Sequence, residues 1–389
     1  MRSTSDNVIT PNATNCRRQI EFDYMKGIFM PFIFLIHAFQ GTCSDMGDAV
    51  SVIYIIATMT GAAIYIFVLG FGTGFGNRAN PSRLAKRGIT FVAYQYMTNL
   101  LYVIALLIPY PFVKDSLTED GAGLFSALIR IYPQFINIFF ITGIIYLVLA
   151  VLKKLNVPAW GYAALAVITA LLAPVIYGSE IDIPFIGYVS KLIIGEDAFV
   201  SFTPLYFLSY ALVGFSVGNL YRNISDKRKF YARLLPAGII VSVIWWVSVF
   251  VRLTRQADEL GYEYDIESFR NILDGAYSCP DIWHVVASLS HIAVLAALLY
   301  FFEERRKSRS SNPEERGVIL RQILYYNNHI TAYYAIHLCV YLLALGIHGY
   351  TGFGVGACLM LTLISMIVTE TVVRSYDVLH KIISAHLVK

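Results

Sequence analysis

The 389 residues are 57% hydrophobic and only 14% charged, with 25 Phe, 27 Tyr and a formal net charge of +4. A soluble protein of this length needs far more polar surface, so that class is excluded. The net charge informs only through where the charges lie, and no nucleic-acid partner is expected.

Apolar runs of roughly 17 to 24 residues, separated by charged loops, read as an all-α polytopic membrane protein. The opening MRSTSDNVITPNATNC is polar and has no hydrophobic core, so no cleavable signal peptide is expected. Asn12-Ala13-Thr14 matches a glycosylation triplet but falls on the cytoplasmic side of the expected topology. Ten spans are predicted: 22–42, 49–72, 88–110, 131–152, 159–177, 203–220, 234–252, 282–302, 329–348 and 353–373. They divide the chain into a cytoplasmic segment 1–21, a membrane domain 22–373 and a cytoplasmic tail 374–389.

The charges orient these spans. With the N-terminus inside, 23 of the 30 Lys and Arg fall in interior segments. Six fall outside: Lys114, Arg130, Lys191, Arg252, Arg255 and Arg270. This asymmetry places both termini in the cytoplasm of a multi-pass protein of the plasma membrane. Cys16, Cys43, Cys279, Cys339 and Cys358 show neither CxxC pairing nor metal-type spacing, so no disulfide framework and no metal are expected. The exterior loops lean acidic, as in VKDSLTEDGAG. The longest, 253–281, reads as a solvated loop or as a short helix or lid over the exterior mouth. The interior stretch EERRKSRSSNPEERG reads as a solvated connection with orienting charge.

The first span, FDYMKGIFMPFIFLIHAFQ, holds three ionisable residues, Asp23, Lys26 and His37. At ~100° per residue these share one helix face, and His37 lies roughly 16 to 21 Å along the axis from the other two. Ionisable groups kept on one face of a membrane helix usually look into protein or a water-filled cavity. Two readings stand. Asp23 and Lys26 form a local ion pair and His37 packs, or His37 acts as a general base beside the fixed positive charge of Lys26. Pro31 between them is expected to kink the helix.

Further along, Arg78, Arg83, Lys86 and Arg87 crowd NRANPSRLAKR, the last three at the start of a helix. They are either topogenic charge or a seat for a phosphate-rich cytosolic ligand such as a nucleotide or coenzyme A. The third span adds Gln95 and Asn99 and the fourth Gln134 and Asn137, which suit hydrogen bonds between helices. His284 and His291 share a face of the eighth span. The ninth carries His329, Tyr333, Tyr334 and His337, and Glu370 with Arg374 forms an i,i+4 pair in the tenth.

These residues resemble a known family. DYMKGIFMPFIFLIHAF is similar to the opening helix of the membrane acyltransferase 3 family, with a basic residue (Lys26), ten intervening positions and a histidine (His37). Asp23 matches the acidic residue usually found just before. TAYYAIHL resembles the family's late S-x-x-Y-x-x-H helix, placing Tyr334 and His337 on the match. TPLYFLSYALVGFSVGNLYR resembles the sixth-span region shared with the heparan-α-glucosaminide acetyltransferase group. The resemblance implies transfer of an acyl group, usually acetyl, from cytosolic acyl-coenzyme A to a carbohydrate or lipid-linked glycan hydroxyl of the cell envelope. It makes His37 the catalytic base or acyl carrier, with Lys26 and Asp23 in its setting. Arg83, Lys86, Arg87 and Arg78 would meet the donor, although Lys86 stands where the family's Arg-x-x-Arg motif has its second Arg. Tyr334, His337, His291 and His284 would face the acceptor. Many members carry an esterase-like domain after the tenth span, which this chain lacks, so transfer is expected to finish in the membrane domain or with a partner. The alternative is a transporter or flippase of a polar or lipid-linked sugar.

Overall fold

Apolar runs in lipid must close their own backbone hydrogen bonds, which helices do within one segment. The computed structural model describes residues 19–43, 47–76, 80–177, 203–260, 282–309 and 316–387. Among the described residues it is about 89% helical with no strand, an all-α polytopic membrane protein. In chain order the helices are α1 (Ile20–Thr42), α2 (Gly47–Phe75), α3 (Pro81–Leu107), the short α4 (Tyr110–Val113), α5 (Glu119–Ile131), α6 (Ile138–Lys154) and α7 (Ala159–Ile176). They continue as α8 (Pro204–Tyr221), α9 (Lys227–Leu260), α10 (Ile282–Arg309), α11 (Val318–Asn328), α12 (Ile330–Ile347) and α13 (Val355–Leu387). Among the described residues, eight are long and apolar enough to cross a membrane. The slightly shorter or more polar α6 and α8 occupy the other two of the ten expected positions.

The directions of packed pairs match alternating spans. Gly70 lies against Ala211 and Gly74 against Phe215, so α2 and α8 run parallel, as second and sixth spans must. Gly88 faces Gly143 while Gln95 reaches back to Phe135 and Asn137, so α3 and α6 are antiparallel. Gly238 faces Val294 and Ser242 meets Ser290 at 2.8 Å, making α9 and α10 antiparallel. The α2–α8 contact is the tightest. Gly70 and Gly74 on one helix, and Gly214 and Gly218 on the other, let each backbone lie where a Cβ would sit 2.0–2.3 Å from the partner's carbonyl oxygen. These are two GxxxG stripes packed on each other, an arrangement that gains van der Waals contact where lipid offers no hydrophobic drive between helices.

Several boundaries depart from the sequence reading. The fourth membrane helix starts at Ile138 rather than 131, because Pro133 lies in a 3₁₀ turn (Tyr132–Gln134) that ends the preceding helix. The acidic loop before it, expected on the exterior, is partly helical. Thr118 caps α5 by accepting the Gly121 N–H at 3.1 Å, with Glu119 and Asp120 in its first turn and Arg130 in its last. Phe125 of α5 stacks on Tyr110 at 4.2 Å and meets Tyr350 at 4.9 Å, which seats the helix across the ends of α3 and α12. Residues 253–260 of the expected exterior loop continue α9; the remainder, 261–281, lies outside the described residues. The expected tail after 373 is helical to Leu387. Nothing in the sequence reading anticipates α11, which packs along α1.

Helix α1 joins two cores. Phe22 and Met25 near its start are buried with α2, α6, α7, α8 and α10. Met30, Phe34 and Phe39 further along are buried with α3, α12 and α13. The helix runs unbroken through Pro31, at the junction of the two.

Candidate functional site

The N-terminal end of α1 is a belt of paired polar groups. Buried Glu21 accepts hydrogen bonds from Tyr231 at 2.8 Å and Tyr221 at 3.3 Å, and Lys227 donates to Gln19 at 2.9 Å. Tyr24 donates to Glu303 Oε2 at 3.1 Å. Arg306 holds both oxygens of Glu303, at 2.7 and 2.9 Å, and Arg316 donates to the Tyr24 hydroxyl at 3.2 Å. Glu303 opens EERRKSRSSNPEERG, read above as a solvated connection. That expectation fails at this residue, which is 4% exposed and sits at the centre of a charge network.

Between Glu21 and Tyr24, Asp23 receives a hydrogen bond from Asn327 of α11 at 3.0 Å and pairs with Lys26 at 3.8 Å. The close approach of α11 depends on Gly27, where a Cβ would lie 2.0 Å from the Ile323 carbonyl oxygen. The local ion pair is therefore present. The shared face of Asp23, Lys26 and His37 is the flank that α11 and α12 cover in succession.

At the far end of that flank stands His37. Its ring is partly exposed and lies 5.1 Å from that of His337 and 5.9 Å, edge-on, from that of Tyr334. His337 is fully buried, between Phe34 (4.9 Å) and Tyr341 (5.7 Å). Its Nδ1 faces the Tyr333 carbonyl oxygen at 2.9 Å. A carbonyl can only accept, so Nδ1 carries the proton and Nε2 presents a lone pair. That Nε2 has no hydrogen-bond partner among the described residues. Tyr334 also packs edge-on against Phe139 at 5.2 Å, which brings the start of α6 into the group.

Buried amides hold that start in place. Gln95 Oε1 accepts the N–H groups of Asn137 and Phe140, both at 3.1 Å, and its Nε2 donates to Asn99 at 2.7 Å and to the Phe135 carbonyl at 2.8 Å. Asn99 donates to the same carbonyl at 3.0 Å, and Asn137 Oδ1 caps α6 through the Phe139 N–H at 2.8 Å. Gln95 and Asn99 thus bond between helices, whereas exposed Gln134 donates locally to the Arg130 carbonyl at 3.2 Å.

The remaining sequence candidates lie elsewhere. Arg83, Lys86 and Arg87 are exposed on the first turns of α3, which packs chiefly on α6 and α12, and carry no ion pair among the described residues. Asn80 caps that helix through the Ser82 N–H at 2.9 Å. Arg78 lies outside the described residues. His284 and His291 turn to α9: Trp246 donates to His291 Nε2 at 3.1 Å, and Trp245 meets His284 at 5.9 Å and His291 at 6.3 Å. They form a Trp–His cluster of their own. Glu370 does pair with Arg374, at 2.5 Å, and also accepts hydrogen bonds from Tyr333 and, at 2.8 Å, from Gln322.

The residues that sequence reasoning missed are Glu303 and Glu21. Glu21 and Glu303 sat at span edges, where a carboxylate reads as solvated. No family model matches the chain, and neither a curated protein nor a solved structure matches it.

Proposed function

We propose that the chain is an integral membrane acyltransferase that moves an acyl group, usually acetyl, from cytosolic acyl-coenzyme A to a carbohydrate hydroxyl. One observation carries this reading. The two stretches that resemble the membrane acyltransferase 3 family, at opposite ends of the chain, meet at their motif residues, His37 against Tyr334 and His337. A packing histidine in a random apolar helix gives no reason for that coincidence.

The chemistry follows from the groups present. A neutral imidazole nitrogen of His37 takes the proton of the acceptor hydroxyl as its oxygen bonds to the thioester carbonyl carbon. The carbon–sulfur bond then breaks, and the imidazolium returns the proton to the departing thiolate, so the histidine is restored and no proton is gained or lost. His337, with its proton fixed on the Tyr333 carbonyl, keeps an Nε2 lone pair and packs its ring against that of His37. Arg83, Lys86 and Arg87 are cations at the positive end of a helix dipole, an unfavourable arrangement that the donor's phosphates relieve.

The test is release of free coenzyme A from acetyl-coenzyme A by the purified protein in detergent with a panel of sugars. Wild-type protein should release it, and His37→Ala should lower the rate by roughly 10² to 10⁴ with no loss of thermal stability. Wild-type rates in His37→Ala would remove His37 from the mechanism. Absence of release by wild-type protein would favour the transporter reading.

A further inference from the structure

Helix α11 is fastened on two sides. Against α1, Asn327 donates to Asp23 at 3.0 Å and the Ile323 carbonyl lies on Gly27, so the helix is anchored on either side of Lys26. Against α13, Gln322 donates to Glu370 at 2.8 Å and accepts from Arg374 at 2.6 Å. Tyr325 donates to Asp377 Oδ2 at 2.8 Å, and the Arg374 guanidinium lies 4.3 Å from the centre of the Tyr325 ring. These contacts strap an eleven-residue helix across one end of the flank that leads to His37.

The strap ends at His329, the joint between α11 and α12. Its ring lies 4.3 Å from that of Tyr325. Nδ1 faces the Tyr325 carbonyl oxygen at 3.0 Å, and Nε2 faces Asp377 Oδ2 at 3.1 Å. The carbonyl can only accept, and the carboxylate oxygen already accepts the Tyr325 hydroxyl. Both ring nitrogens therefore need a proton, and only the imidazolium carries two. A neutral ring turns a lone pair on one of these oxygens and lets that arm go.

The neighbouring charges do not share this response. Helix α13 brings Asp377, the Glu370–Arg374 pair and Lys381, which acts on Asp377. Helix α11 brings Tyr325 and Gln322, and α12 brings Tyr333, which donates to Glu370. Carboxylates ordinarily change charge below about pH 5, and Tyr, Lys and Arg above about pH 9. Between about pH 6 and pH 8 only a histidine of this group does so. His380, on the next turn of α13, has its ring against Tyr376 at 6.0 Å rather than against the strap.

We propose that His329 is a proton-operated latch. As an imidazolium it ties the end of α11 to Asp377 of α13, and its deprotonation frees α11 to lift from α1 beside Lys26. The sign follows from the geometry. The fastened arrangement favours the charged ring, so closure is complete at lower pH and is lost as pH rises through the histidine range. Both side chains are 27% exposed, which keeps the effect modest. The latch concerns the motion of α11 and stands whether or not the chain transfers acyl groups.

The experiment is amide hydrogen exchange of the full-length protein in nanodiscs at about pH 6 and about pH 8, corrected for the intrinsic pH dependence of exchange. In wild-type protein the amides of α11 should exchange about fivefold faster at the higher pH, while those of α12 beyond Tyr333 hold their rates. His329→Gln cannot take the second proton and should show the faster α11 rate at both pH values. Asp377→Asn removes the charge that the ring answers and should flatten the response as well. A wild-type α11 whose corrected rate does not change with pH overturns the proposal. So does a pH response that survives in both variants, because another histidine then carries it. Equal loosening of α11 and α12 would mean that the bundle softens as a whole, and the latch falls on that result too.

Discussion

Glu303 and His337 are both almost wholly buried beside α1, one near each end, and they are treated oppositely. Glu303 has Arg306 on both oxygens, Tyr24 as a further donor and Lys307 and Arg316 at 3.5 and 3.9 Å. The His337 ring has one bond to a backbone carbonyl, and its other nitrogen has no partner among the described residues. The first arrangement recovers the desolvation of a buried charge by saturating it, which fixes how α1 and α10 meet. The second avoids charge altogether and leaves bonding capacity unspent, which adds nothing to stability. One end of α1 is saturated with partners; the other leaves a buried acceptor unspent.

That contrast predicts a crossed pattern of effects. The largest should come from exchanging the two sites as mutational targets. His37→Ala should lose transfer while melting as the wild type does, and Glu303→Ala should do the reverse. Leaving Arg306 and Arg316 without their shared carboxylate should destabilise by about 3 to 5 kcal/mol. The lower melting temperature should come with near-normal activity per folded molecule. If Glu303→Ala melts normally, the network does not hold the bundle and the comparison fails.

Gln95→Leu tests the middle ground. It strands the N–H groups of Asn137 and Phe140, so stability should fall by about 1 to 3 kcal/mol in denaturant titration. Because the start of α6 reaches Tyr334 through Phe139, the acceptor KM should rise more than the donor KM. Equal shifts in both would mean that the amide cluster supports the fold without shaping the site.

The smallest effect belongs to Lys26→Met. Its pair with Asp23 is 3.8 Å long and its side chain is 23% exposed, so less than about 1 kcal/mol of stability should be lost. If Lys26 meets the donor, the KM for acetyl-coenzyme A should still rise several-fold. An unchanged KM would confine Lys26 to its local ion pair.

Fold class was readable from the chain because a membrane helix declares itself by local composition. Repeated apolar runs admit one backbone solution in lipid, and the spans fall where those runs are. Boundaries were readable only where composition changed sharply. The acidic stretch before α6 hid α5, since Thr118, Glu119 and Asp120 look alike in a loop and in a capped first turn. Helices α9 and α13 overran their apolar runs because a helix does not stop where lipid does.

In the candidate site, the sequence by itself determined that Asp23, Lys26 and His37 share a face, since 3.6 residues per turn leaves no choice. It also singled out Tyr334 and His337 as polar residues in an apolar span. What only the tertiary structure decided was partnership. Helix α12, rather than α3 or α10, lies against His37, so His284, His291 and the basic start of α3 fall in other places. Helix α11, invisible as a span, supplies Asn327 to Asp23. Which buried polar atoms are paired and which are empty depends on atoms brought together from distant helices, and periodicity along one helix cannot report on a neighbour.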